Sequence, residues 1–212
     1  MNKRSFFYKG PRRYKAGLRL IHGKKLDERY NYISEQIGQQ KSVLEPACGP
    51  ALLPPFLHST CSYKGFDINE QFVQYAQRNG IDVTLGDATD PNSYASSDVV
   101  VLCDALHHMG SENEKVVLKH SLNSAKQQLI ICDPFKDYYM AMLPKWLPGA
   151  NRILTEWYNY IEQDGNNQVR LENIRTRIEL EELMMEGFGI IPREVKRDLR
   201  NIGEDLIVTY HL

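Results

Sequence analysis

Short apolar runs and amphipathic segments alternate along the middle of the chain. Ser42–Glu45, Tyr63–Phe66, Ile81–Leu85, Asp98–Cys103 and Gln128–Cys132 read as strands. Val99 to Leu102 is apolar throughout, as befits a strand covered on both faces. Between the strands the spacing turns helical. Leu26, Tyr30, Ile33 and Ile37 recur every three or four residues before a stop at Gly38. Leu52–Leu57 is limited by Pro54 and Pro55 to a short helix. Asn69–Asn79 places Phe72, Val73 and Ala76 inward, and a helix carrying Val117 and Leu118 opens on the capping-box pair Ser111 and Glu114. Strands alternating with helices predict a parallel α/β sheet with right-handed crossovers.

Beyond Asp133 the rhythm breaks. Residues 134–175 are rich in aromatics, including Phe135, Tyr138, Tyr139, Trp146, Trp157, Tyr158 and Tyr160. Thr176 and Glu179 then form a second capping box before a helix carrying Leu180, Leu183 and Met184, stopped at Gly187. Glu194–Arg200 and Asp205–His211 read as two strands joined through Asn201–Glu204, an antiparallel edge to the sheet.

The chain's 212 residues, 42% hydrophobic and 25% charged, suit one globular domain. Its expected parts are an N-terminal basic arm and lid helix (1–38), a core (40–135), a covering insertion (136–175) and a C-terminal helix with hairpin (176–212). Cys48, Cys61, Cys103 and Cys132 form no CxxC pair and lack a histidine at ligand spacing, so neither a disulfide framework nor a metal site is expected. The basic N-terminus has no apolar run behind it, and no stretch reaches the roughly 18 apolar residues of a membrane span, so a cytoplasmic protein is expected. A net charge of −1 argues against a general nucleic-acid coat. The charge is uneven, however: ten lysines and arginines precede Asn31, against Asp27 and Glu28 alone.

In a doubly wound sheet, ligands bind beyond the carboxyl ends of the strands. There the sequence places Glu45, Asp67, Asp87, Asp104 and Asp133, an acid at each of the five tips. Gly49, in the turn after the first strand, would let backbone approach a ligand closely. Asp67 stands where an acid accepts two hydrogen bonds from ribose hydroxyls, and Asp87 could accept from an adenine amine. Any one of these acids alone could equally be a helix cap or a solvated strand end.

Val43-Leu-Glu-Pro-Ala-Cys-Gly-Pro-Ala51 resembles the first motif of class I S-adenosylmethionine-dependent methyltransferases. Gly65-Phe-Asp-Ile68 is similar to the second, Gly86-Asp-Ala88 to the third, and Val101 to Met109 to the fourth, whose Leu-His-His is similar to the small-molecule (type 11/25-like) group. The resemblance covers roughly residues 40 to 135. It implies a Rossmann-like fold with a mostly parallel seven-stranded sheet, a C-terminal antiparallel hairpin and helices on both faces. It also implies S-adenosylmethionine as cofactor, with S-adenosylhomocysteine as product. Carried over by position, it puts Glu45, Ala47, Cys48 and Gly49 at the methionine part, and Asp67 and Ile68 at the ribose and adenine. Asp87 and Ala88 fall at the adenine, Cys103 and Asp104 near the amino group. The family pattern has three glycines in the first motif; here Ala47, Gly49 and Ala51 stand there, and Pro50 removes a backbone donor.

Methyl transfer from a sulfonium is an in-line displacement, so holding donor and acceptor in line is the protein's main task. A base is needed only where the acceptor must lose a proton. His107 and His108, just past the fourth strand, are the catalytic candidates, against the alternative that they pack or bond within the loop. Tyr138, Tyr139, Trp146, Trp157 and Tyr158 are the candidates to line an acceptor pocket, against the alternative that they bury the insertion. The first expectation is a small-molecule acceptor, with the basic arm able to attract an anionic one or to close as a lid. An RNA methyltransferase, or a cofactor-binding protein without activity, are the other readings. A nicotinamide dehydrogenase lacks its required G-x-G-x-x-G.

Overall fold

The computed structural model describes residues 5–136, 160 and 167–212. Two helices lead the chain, α1 (Pro11–His22) and α2 (Lys25–Ile37). Then follow β1 (Ser42–Pro46), β2 (Ser62–Asp67), α3 (Glu70–Arg78), β3 (Val83–Leu85), β4 (Ser97–Cys103), α4 (Ser111–Ser124) and β5 (Ala125–Pro134). Further along the chain come α5 (Asn167–Asn173), α6 (Arg177–Met185), β6 (Lys196–Ile202) and β7 (Asp205–His211). The sheet runs in the order β3-β2-β1-β4-β5-β7-β6. The first five strands are parallel, while β7 pairs antiparallel with both β5 and β6. The strand order reverses between β1 and β4, the point where open α/β sheets bind ligands.

Period-two alternation sorts the central strands between two cores. Val43, Val99, Val101, Ile130 and Ile207 face α1 and α2, meeting Tyr14, Leu18, Leu26, Tyr30 and Ile33. Leu44, Val100, Leu102, Leu129 and Val208 face the other way, against Val117 and Leu118 of α4 and Leu180 and Met184 of α6. Both sides of β4 and β5 are thus covered, which explains their unbroken apolar runs.

The predicted elements form, with two differences. Within the expected arm, residues 11–37 form a docked helical pair: Tyr14, Leu18 and His22 of α1 are buried. The capping box predicted at Ser111 and Glu114 is absent. Gly110 takes the cap position in an extended conformation with no side-chain bond, and Glu114 is buried against Arg175 at 2.9 Å. The box at Thr176 and Glu179 does form. Among the described residues no helix is long and apolar enough to cross a membrane.

Candidate functional site

The turn after β1 carries the first surprise. Ala47, Gly49 and Ala51 all hold positive φ, at 52°, 55° and 53°. The backbone therefore keeps the left-handed turns that glycines make cheaply, with alanines bearing two of them at about 1–2 kcal/mol each. Cys48, between them, turns its side chain into the small core of Ala51, Val73, Ala76 and Val83 behind the sheet. It can face a ligand only through its backbone.

Asp67, at the tip of β2, binds this loop to its own strand. It accepts from the Gly49 N–H and the Asn69 N–H, each at 2.7 Å. Burial pushes its carboxyl up, and those two N–H groups partly offset the shift. Its oxygens are thus not both idle, as the sequence suggested, though each retains a second lone pair for a ribose hydroxyl. Glu45 is buried and accepts from the Tyr63 hydroxyl at 2.5 Å. Burial raises its pKa to about 8, so the acid is largely protonated at neutral pH.

Ile68 is 73% exposed, and Asp87 is exposed, with one oxygen engaged by the Thr89 N–H and hydroxyl at 2.8 Å. Together with Ala47, Ala88, His108 and Met109 they line a cleft of about 420 Å³, closed on one side by Val169 of α5. This is the size of a small-ligand pocket. An open carboxylate oxygen, an exposed aliphatic side chain and a left-handed backbone cradle suit an adenosyl group.

The side chains of Cys103 and Asp104 are engaged away from the cleft. The Cys103 side chain belongs to the core facing α2. Asp104, itself at φ 53°, turns toward Arg29 of α2, which grips both its oxygens at 2.5 and 3.0 Å. Burial pushes the Asp104 carboxyl up, but the guanidinium outweighs that and holds it below the usual range. Arg29 also donates to Asp205 at 3.0 Å, while His22 Nδ1 lies 2.5 Å from Glu204. His22, Glu204 and Asp205 could geometrically ligate a cation, but Arg29 already supplies positive charge to Asp205. This buried network joins α1, α2, the tip of β4 and the β6–β7 turn. Its members lie up to 183 residues apart, from His22 to Asp205, which no local motif signals.

The two histidines separate. His107 is buried, with Nδ1 3.0 Å from Asp133 Oδ1, and its Nε2 has no hydrogen-bond partner among the described residues. His108 lines the cleft, its ring 4.1 Å from that of His107. Asp133, seen in the sequence only as a strand tip, is the orienting partner. Tyr138, Tyr139, Trp146, Trp157 and Tyr158 lie outside the described residues. Tyr160, from the same stretch, packs edge-on against Phe7 ahead of α1, with ring centroids 6.4 Å apart.

Comparison with known proteins agrees with this arrangement. Residues 44–127 match a family model described as a methyltransferase domain. Magnesium protoporphyrin IX methyltransferase from Synechocystis PCC 6803, solved with bound SAH, superposes with TM-score 0.60 at 15% identity, over 92% of this chain and 85% of that one. A SAM-dependent methyltransferase from Aquifex aeolicus gives 0.59 at 13%, over 93% and 97%. Human N-acetylserotonin methyltransferase in complex with SAM gives 0.61 at 15%, over 97% of this chain but 57% of that one. A search of curated proteins by sequence gives no match.

Proposed function

We propose that this chain, a class I S-adenosylmethionine-dependent methyltransferase, methylates a small-molecule acceptor with His107 as general base. The observation that carries this is the His107–Asp133 pair at the strand tips, 3.0 Å apart, beside the cleft lined by His108. The cofactor, when bound, supplies a methyl group already activated on a sulfonium. Ala47 and Gly49 would cradle its methionine part by backbone approach, with Glu45 behind them. Asp67 would receive the ribose, and Ile68, Asp87 and Ala88 the adenine. Cys48 serves through its backbone alone, and Cys103 and Asp104 shape the site from behind rather than touching the cofactor.

The Asp133 carboxylate accepts a hydrogen bond from the Nδ1–H of His107. That leaves the Nε2 lone pair to take a proton from the acceptor, a hydroxyl being the simplest case. Arg170 of α5 is buried, and α5 packs over the turn that holds both histidines, keeping water from the base. The similar structures named for magnesium protoporphyrin IX and N-acetylserotonin support a small acceptor. Tyr138, Tyr139, Trp146, Trp157 and Tyr158 are the residues we assign to that acceptor.

The test is release of S-adenosylhomocysteine across a panel of hydroxyl, amine and carboxylate acceptors. On the acceptor found, His107→Ala should lower kcat about a hundredfold with cofactor affinity retained. Asp133→Asn should slow turnover by about tenfold or more and shift the acid limb of the pH–rate profile. Turnover by His107→Ala within twofold of the parent would remove the base from the mechanism.

A further inference from the structure

The most strongly one-signed surface of the molecule lies away from the strand tips, on α1. The helix buries Tyr14, Gly17 and Leu18 and turns Arg12, Arg13, Ala16, Arg19 and Leu20 to solvent. The first acidic residue of the whole sequence is Asp27, which holds both terminal nitrogens of Arg19 at 3.1 and 3.2 Å. Among the described residues no carboxylate pairs with Lys9, Arg12, Arg13, Lys15 or Arg78. Among the described residues these cations are thus left without an ion-pair partner, in a chain of net charge −1.

Two features beside the cations are apolar. Leu20 is 62% exposed and Phe6 is 52% exposed, with the Arg13 guanidinium over the Phe6 ring at 4.3 Å. Where α1 meets α3, a groove of about 620 Å³ runs between Lys9, Arg12, Arg13 and Arg78. It shares Tyr75 and Asn79 with a second cavity of about 460 Å³. That second cavity is walled by Leu26, Tyr30, Leu52 and Phe56, with Lys15 at its edge. A cationic trough thus opens directly onto an apolar recess.

We infer that the α1 face seats the protein on an anionic lipid surface. The cations would meet headgroups, Leu20 and Phe6 would enter the acyl boundary, and the recess under α1 would accept an acyl chain. Charge complementarity selects an anion. The apolar side chains interleaved with the charges on one helix face select a lipid surface over a nucleic acid, for which phosphate contacts and stacking rings suffice. The proposal is independent of the acceptor and of the base.

Flotation of the full-length protein with phosphatidylcholine vesicles, with and without one-third phosphatidylglycerol, tests it. Binding is expected only to the anionic vesicles and should weaken as salt rises. The double reversal R12E/R13E should reduce vesicle affinity by well over tenfold, at about fivefold for each cation lost. Leu20→Ser should reduce it severalfold with the charges intact. Both variants should keep the parent's thermal midpoint and S-adenosylhomocysteine affinity, so a folding defect is distinguishable. Equal binding to neutral vesicles, no binding to either, or displacement from anionic vesicles by a single-stranded RNA homopolymer at lower concentration would each overturn it.

Discussion

Among the described residues two buried histidines each meet a carboxylate, one an aspartate and the other a glutamate, in different surroundings. His107 meets Asp133 at the tip of β5, and its second nitrogen, buried next to His108 of the cleft, has no hydrogen-bond partner among the described residues. His22 meets Glu204 behind the sheet, where Arg29, Asp104 and Asp205 close round it. In the first, one carboxylate fixes one tautomer and leaves a lone pair available. In the second, charges of both signs interlock. The same chemical types thus make one pair with a spare nitrogen and one pair locked into a network.

The sharpest way to separate the pairs is to break the second at its cation. Arg29→Met leaves Asp104 and Asp205 buried without their partner and should cost about 3–5 kcal/mol, read by chemical denaturation. It should also loosen cofactor binding, because Asp104 holds the β4 tip at positive φ. A loss under 1 kcal/mol would mean the network is solvated in solution. Exchanging the histidines comes next in size. His107→Ala should abolish about 99% of turnover while moving the thermal midpoint little, whereas His22→Ala should lower the midpoint and spare turnover in the surviving folded fraction. The opposite pattern would reverse the roles assigned here.

Proton linkage gives smaller effects. Burial and the charge of Arg29 push the His22 pKa down, but the Glu204 hydrogen bond and the Asp205 charge outweigh them and raise it. A raised histidine stabilises fully below its unfolded value near 6.5, and the contribution fades as pH climbs through the folded value. Unfolding free energy should therefore fall as pH rises from about 6.5 through the raised folded value, and His22→Gln should flatten that slope. Glu45, raised to about 8 chiefly by burial, behaves differently toward ligand. Below that value it is protonated, and pairing with the cofactor's ammonium favours the ionised form. Affinity for S-adenosylhomocysteine should rise toward pH 8, by less than about tenfold per unit, and titration calorimetry should show the rise absent in Glu45→Gln.

Much of this was legible in advance because the signals were local. The parallel strands follow from apolar runs, the α6 cap from Thr176 and Glu179, and the five acidic tips from the strand ends. The Ser111 box misled because Gly110 can itself take the extended cap conformation, and Arg175 then draws Glu114 away. The Asp104 ion pair was illegible for another reason. Its partner Arg29 is 75 residues away, on a helix whose pattern reports only that it is amphipathic. The alanines of the first motif were the subtlest case. Their identity suggested an altered loop, yet backbone contacts such as Cys48 N–H to the Phe66 carbonyl hold the path at the cost of strain. Ala47→Gly should recover about 1 kcal/mol or less, since relieved strain is offset by greater freedom of the unfolded glycine. A destabilised variant would show that the alanine methyl packs more than it strains.

The placement of β7 bears on how the molecule is made. Residues 205–211 thread between β5 and β6, and the turn before them closes onto His22. Until the ribosome has released this late segment, β5 stands as an unprotected hydrophobic edge and the N-terminal helices lack their ionic clasp. Such long-range closure slows folding and leaves nascent chains open to aggregation. Chaperone demand during synthesis should accordingly fall sharply once residue 211 emerges.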